Sequence, residues 1–206
     1  MMRAAPLAIA AAALLGGCVS LLPKPPPPPT LFVMEAGAVE RAQGDPIDAV
    51  ITVAAPGGER AILGADLIWR QGDTLAYVDR AQWSARAQDG LQAMVVETLE
   101  RQGRFRAAAK AGDAAGEYEI RWDVLDFEVL EDRMVARFVA DVRLMAPGRR
   151  IIASEMVTAE APVSSRSATV ASQALARAAR EGSARIGLFA ADAAAQARAQ
   201  AAATSQ

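Results

Sequence analysis

Residues 117–145 read EYEIRWDVLDFEVLEDRMVARFVADVRLM, and this stretch decides the fold class. In its first half, apolar side chains alternate with charged ones, the period of a strand with one face in water. The alternating apolar residues are Tyr118, Ile120, Trp122 and Val124. The parity reverses from Leu125 onward, which a β-bulge or a segment buried on both faces would produce. The pattern is compatible with both explanations.

The second half of the same stretch predicts another strand. From Met134 to Met145 every second residue is apolar, with Arg137, Asp141 and Arg143 on the opposite face. Turn residues separate this run from its neighbours, and a third extended segment follows at 151–161. We therefore expect a meander of three antiparallel strands.

Upstream, shorter extended segments are predicted at 31–34 and 47–55. The segments 67–70 and 74–78 flank Gln71-Gly72-Asp73, a connection of hairpin length. These patterns extend the predicted sheet toward the N-terminus.

Two helices are predicted. The first opens at Asp89-Gly90 and ends at Gly103. The second follows a hydroxyl cluster whose serines cap it, made of Ser164, Ser165, Ser167 and Thr169. The whole predicts one α+β domain over 30–189, with a mainly antiparallel sheet and two principal helices packed on it. Residues 190–206 are Ala-rich without a clear core face, so we expect a fraying extension or a disordered tail.

Residues 1–17 have the pattern of a signal peptide. Arg3 precedes an apolar run from Ala4 to Leu15, which is shorter than the roughly 20 residues that span a bilayer. The run ends in Leu15-Gly16-Gly17-Cys18, which resembles the lipobox of bacterial lipoproteins. Cys18 is then the lipid attachment site, carrying acyl chains such as palmitate. The alternative is an ordinary secretory signal with a chance cysteine nearby.

Residues 18–29 form the acylated N-terminus and a spacer. Pro25 to Pro29 favour polyproline II geometry, which is semi-rigid, although a proline-recognition ligand is an alternative. Val19 follows the cysteine where an aspartate would favour inner-membrane retention. We therefore expect a periplasm-facing anchor in the outer membrane, with the inner membrane as the less favoured location.

Composition excludes several classes of function. The formal net charge is −2 and the basic residues are scattered, so nucleic acid is not an expected partner. No histidine is present, which removes the usual catalytic base and the commonest zinc ligand. Acid pairs such as Glu117 with Glu119 and Glu131 with Asp132 are best explained as solvated surface. We expect no catalytic residue, no metal site and no cofactor, and thus no enzyme.

Three aromatic residues, Trp69, Tyr77 and Trp83, are candidates for a surface that contacts a partner or lipid, since aromatic side chains are enriched at interface hot spots. The alternative is that they fill the core beneath a helix.

The chain from 31 to 189 resembles the ABC-type transport auxiliary lipoprotein family, whose members include the lipoprotein of the paraquat-inducible system. The resemblance rests on the lipobox, on Val53 to Pro56, on the tract LAYVDRAQW at 75–83 and on Gly103-Arg104-Phe105. Val78 and the proline-free link 84–89 depart from the family pattern, which leaves the subfamily open.

This resemblance implies a non-enzymatic accessory protein. Its implied partners are an ABC permease, an ATPase and a mammalian-cell-entry-type lipid-binding protein, and its implied cargo is phospholipid or a similar apolar molecule moving between two membranes. No Gly-rich nucleotide loop is present, so ATP hydrolysis belongs to a partner. The competing hypothesis is a lipoprotein that supports outer-membrane assembly or cell-wall maintenance without cargo contact. An envelope hydrolase ranks third, because it needs a nucleophile and a base that are not evident.

Overall fold

Nine strands and three helices follow one another along residues 26–204, the part of the chain that the computed structural model describes. The strands are β1 (Thr30–Phe32), β2 (Ile47–Val53), β3 (Gly57–Gly58), β4 (Asp66–Gln71), β5 (Thr74–Trp83), β6 (Phe105–Lys110), β7 (Tyr118–Leu130), β8 (Val135–Ala146) and β9 (Arg150–Pro162). The helices are α1 (Arg60–Leu63), α2 (Ala87–Gln102) and α3 (Ala168–Thr204). The prediction of a single α+β domain is confirmed.

Strand β7 organises the sheet. One of its edges pairs along its length with β8, while the other edge pairs in succession with β2, β3 and β4. Beyond these, β6 pairs with β2, and β5 and then β1 extend the sheet from β4. The sheet thus divides into two arms on one side of β7.

The prediction of a mainly antiparallel sheet is wrong. Five of the eight strand pairings among the described residues are parallel, so the sheet is mixed and mostly parallel by pairing. Antiparallel pairing occurs in the β4–β5 hairpin and in the β7–β8–β9 meander, which join neighbours in sequence and were predicted. Parallel pairs need long crossover connections, and local alternation carries no information about them.

The parity change in β7 has both of the causes considered. Val124 pairs with Ala140 and Asp126 pairs with Val139, so Leu125 is the extra residue of a bulge. Beyond it, Phe127, Glu128 and Val129 are all buried, which means that both faces of the strand are covered there. The bulge moves Phe127 and Val129 onto the core side of the sheet.

The core lies between the sheet and two helices. Both α2 and α3 pack on the sheet, as predicted, and they also pack on each other. The inward face of β8 is fully buried under α3, and its side chains are Ala136, Phe138, Ala140, Val142 and Leu144. Two predicted helix ends are confirmed: Gly103 closes α2 at φ 68°, and Ser167 Oγ accepts the Val170 N–H at 3.2 Å. The start of α2 differs from the prediction, because the helix begins at Ala87, two residues before Asp89.

The structure corrects the prediction for the Ala-rich C-terminal segment. The sequence predicts a fraying or disordered tail from residue 190, but α3 continues to Thr204, and Ala190, Ala191 and Ala194 are buried. Alanines packed against other alanines produce little hydrophobic contrast around the helix, so periodicity does not reveal this face. Strand β6 and the extension of β5 to Trp83 were also missed, because neither segment has clear alternation.

Candidate functional site

Of the three candidate contact aromatics, the structure places two in the core. Trp69 is 9% exposed and Trp83 is 3% exposed, and the Trp83 ring stacks on Phe127 with centroids 5.8 Å apart. Tyr77 is 61% exposed on β5. The core alternative therefore applies to Trp69 and Trp83, and of these three residues only Tyr77 presents its ring to the surface.

On the outer face of β7 and β8, residues of like charge lie opposite each other. Arg121 lies directly opposite Arg143, and Asp123 lies directly opposite Asp141. Like charges in these positions repel each other, but Arg143 forms ion pairs with both aspartates. Within residues 26–204, no group of acidic or cysteine side chains could hold a metal ion. This face is a self-neutralised, solvated surface.

One ion pair on that side of the sheet is partly buried. The guanidinium of Arg70 on β4 bonds the carboxylate of Glu128 on β7, whose side chain is 1% exposed. The hydrogen bond to Glu128 is the main cause that raises the pKa of Arg70. The second oxygen of Glu128, Oε2, is buried without a hydrogen-bond partner in the described structure. This pair joins β4 to β7 and holds that arm in place.

A large concavity lies elsewhere, between the loop 36–43 and helix α3, and we call it the helix–loop cleft. Its volume is about 740 Å³. Loop residues, the end of α2 and one face of α3 line it, among them Ala36, Val39, Arg41, Gln102, Arg180 and Leu188. The volume lies within the range of small-ligand sites.

The loop wall of the cleft is held by backbone contacts from arginines. Arg101 donates to the carbonyl of Gly37, and Arg104, which is buried, donates to the carbonyls of Gln43 and Asp45. The Ala42 N–H donates to Gln102 O at 3.1 Å. This loop has no regular secondary structure of its own, so these bonds are what position it.

Gly37 permits a close approach between the loop and α3. Its φ is +68°, and a Cβ there would lie 3.1 Å from Cδ of Arg180. A side chain would be strained in this backbone conformation and would press on Arg180. The glycine thus allows the Arg180 side chain to run beneath the loop and into the cleft.

No pattern in the sequence predicts this cleft. Its loop wall lacks periodicity, and the small residues of its helix wall resemble the rest of the Ala-rich helix. The one available signal is the family-like Gly103-Arg104-Phe105 tract, whose arginine proves to hold the loop. The cleft forms only when distant segments come together.

Comparison with known families decides what kind of protein carries this fold. The sequence profile of the ABC-type transport auxiliary lipoprotein component family matches residues 32–187, which is well over half of the chain. The chain belongs to this family. The match begins in β1 and ends within α3, so it covers the sheet, α2 and the cleft.

Solved structures share the fold of this family member. Protein XCC0632 from Xanthomonas campestris, a member of the DUF330 family, superimposes with a TM-score of 0.74 at 21% identity, covering 82% of this chain and 98% of that one. An uncharacterised protein superimposes with a TM-score of 0.60 at 14% identity, covering 77% and 97% of the two chains. No curated protein matches the sequence significantly.

The family membership makes this chain an auxiliary component of an ABC-type transport system. A lipoprotein of such a system associates with a membrane. None of the helices in residues 26–204 is long and apolar enough to cross one. The lipobox residues Leu15, Gly16 and Gly17 and the attachment site Cys18 lie outside the described residues.

Proposed function

We propose that this protein is a lipid-anchored auxiliary subunit that faces the periplasm and helps move phospholipid or similar apolar cargo between the inner and outer membranes. It acts by binding and scaffolding and performs no catalysis. The observation that carries the proposal is the family match over residues 32–187. The absence of histidine from the whole sequence supports a non-enzymatic role.

The anchor in this proposal is Cys18, acylated after removal of residues 1–17. The sequence Leu15-Gly16-Gly17-Cys18 supports it, as does the fact that this is the only cysteine of the chain. Several acyl chains together hold a protein stably on a bilayer, at about 0.8 kcal/mol per buried CH₂ group. Val19 in place of an aspartate supports the outer membrane as the location.

The proposed partners are an ABC permease, its ATPase and a mammalian-cell-entry-type lipid-binding protein. The chain has no Gly-rich phosphate loop ending in Gly-Lys-Ser or Gly-Lys-Thr, so ATP hydrolysis falls to the ATPase partner. The auxiliary subunit contributes the domain surface around its sheet and cleft.

The test is affinity purification of the full acylated chain after mild crosslinking in its native envelope. An unrelated outer-membrane lipoprotein with the same tag serves as the control. We expect permease, ATPase and a lipid-binding periplasmic protein to be enriched with this chain alone. Recovery of only barrel-assembly or cell-wall proteins would contradict the transport role.

A further inference from the structure

The helix–loop cleft holds two cationic side chains without a counter-ion. Arg41 on the loop and Arg180 on α3 have no hydrogen-bond or ion-pair partner within residues 26–204. By contrast, the arginines that flank the cleft, Arg101, Arg104 and Arg185, are all engaged by backbone or carboxylate oxygens. The cleft thus keeps two guanidinium groups available.

The carboxylates at the cleft do not cancel these charges. Glu181 is paired with Arg185, and Asp192 lies 3.7 Å from Arg104. Glu40, on the exposed loop, is the remaining acidic residue of the lining and has no partner within the described residues. Two available cations and one available anion leave a net positive charge, which favours an anionic ligand.

The helix wall of the cleft runs from a cation through apolar residues to an acid. Arg180, Ala184, Leu188 and Asp192 recur every four residues and so lie on one face of α3. At 1.5 Å per residue the stretch from Arg180 to Leu188 extends over about 12 Å, and Asp192, 3.7 Å from Arg104, follows it. Leu188 is 44% exposed although it is large and apolar. Ala36 and Val39 face the row from the loop.

Gln102 joins α2 to α3 beside the cleft. It is 4% exposed, and its Nε2 donates to Ala184 O at 2.9 Å. Its Oε1 is buried against Gly187, where a Cβ would lie 2.1 Å from it. This amide therefore holds the helix wall in place, and α3 covers its oxygen.

We propose that the helix–loop cleft binds an anionic amphiphile, with its phosphate or carboxylate headgroup at Arg41 and Arg180 and an alkyl chain along Ala184 and Leu188. The cleft takes the headgroup and part of one chain, which suits a lipid presented from a membrane or from a carrier protein. The proposal rests on the proposed function, because it names the surface that would contact the cargo, and it replaces Trp69 and Trp83 as the candidate contact residues.

The first test uses photo-crosslinking of the full chain in its native envelope. Leu188 is replaced by p-benzoylphenylalanine, and a second variant carries the same group at Met156, which is 56% exposed on β9 and is not part of the cleft lining. After irradiation, mass spectrometry identifies the adducts. We expect phospholipid or lysophospholipid adducts at position 188 and not at position 156. Protein adducts alone at position 188 would overturn the proposal and make the cleft a protein-docking surface.

The second test removes the charges. Arg41→Gln with Arg180→Gln is compared with Arg60→Gln with Arg149→Gln, a control of equal net charge on exposed residues outside the cleft. Loss of two charge-assisted hydrogen bonds should lower the adduct yield about tenfold or more in the first variant and leave the control unchanged. Matching melting curves of the purified variants show that folding is retained. Equal yields in both variants would overturn the headgroup assignment.

Competition distinguishes a lipid from a free anion. Excess lysophosphatidylglycerol added before irradiation should suppress formation of the phospholipid adduct, whereas inorganic phosphate and a neutral alkyl glucoside should not. Suppression by inorganic phosphate would instead indicate a free-phosphate site and overturn the amphiphile assignment. The same samples are scored for transport partners. If the transport partners are recovered but no lipid adduct forms at position 188, only the cleft proposal is refuted. If the unsubstituted protein recovers no transport partners, the proposed function is refuted.

Discussion

Gly182 of α3 lies directly over the ring of Phe138 on β8, so closely that a Cβ at position 182 would collide with ring carbons Cδ1 and Cε1. Phe138 is fully buried at the centre of the core. The absence of a side chain at one position of a long helix therefore sets how near that helix comes to the sheet, and this contact can be tested directly.

Gly182→Ala should destabilise the protein. Alanine favours the helix by about 1 kcal/mol, but overpacking against the ring costs about 1–3 kcal/mol, so we expect a net loss of up to about 2 kcal/mol. Urea unfolding of the purified full chain measures the change. Adding Phe138→Leu should recover part of the loss relative to the sum of the single variants. If the two substitutions change the unfolding free energy by strictly additive amounts, the contact between Gly182 and Phe138 does not limit how closely α3 approaches the sheet.

Two of the candidate aromatics, Trp83 and Tyr77, should differ in how much they stabilise the protein. Trp83→Ala removes a buried ring stacked on Phe127 and should cost about 3–5 kcal/mol of unfolding free energy. Tyr77→Ala, at an exposed position of the same strand, should change it by less than about 0.5 kcal/mol. Thermal unfolding of both variants tests this, and equal losses would contradict the assignment of Trp83 to the core.

Glu128→Ala should destabilise the domain by about 2–3 kcal/mol, less than for a fully buried pair, because Arg70 keeps part of its solvent contact. Replacing both partners by apolar residues, as in Arg70→Met with Glu128→Leu, should return the unfolding free energy to within about 1 kcal/mol of the original. A double-mutant cycle measured in urea tests the coupling. If the double variant is as unstable as Glu128→Ala, the ion pair between Arg70 and Glu128 stabilises the sheet more than apolar side chains in the same positions would.

Acid should destabilise the junction of β2 and β7 through Glu117. The backbone N–H of Val50 donates to its carboxylate at 2.7 Å and is the main cause that lowers the pKa of Glu117. A carboxyl group with a lowered pKa in the folded state stabilises that state above its ordinary pKa, and the stabilisation is lost as the pH falls through the folded value.

We therefore expect Glu117→Gln to reduce the slope of unfolding free energy against pH in the acidic range. The exposed Glu155→Gln on β9 is the matched control and should leave the slope unchanged. Denaturant unfolding across the acidic range up to neutral pH gives both slopes. Identical slopes for the two variants would rule out the contribution of Glu117.

Cys18→Ala should release the protein from the membrane fraction or prevent its processing, because the thiol is the proposed acyl acceptor. The domain should remain folded, since the described residues 26–204 build a hydrophobic core of their own. Fractionation of the envelope with metabolic fatty-acid labelling measures attachment. Full membrane retention with undiminished labelling would contradict the anchor at Cys18.

Several features of the fold follow from local sequence patterns. The alternation in 117–145 predicts the β7–β8–β9 meander, and Gln71-Gly72-Asp73 predicts the β4–β5 hairpin. Gly103 and Ser167 mark helix ends correctly. These predictions succeed because each depends on residues adjacent in the chain.

The sequence by itself determined the strands of the meander, the helix caps, the family and the candidate anchor, because short-range periodicity and motif spacing express them directly. Only the tertiary structure decided the rest. It placed β2, β3 and β4 in parallel along one edge of β7, buried Trp69 and Trp83, and left Arg41 and Arg180 unpaired in one cleft of the described chain. The physical reason is that burial and charge pairing depend on which distant segments meet, and no local pattern records that.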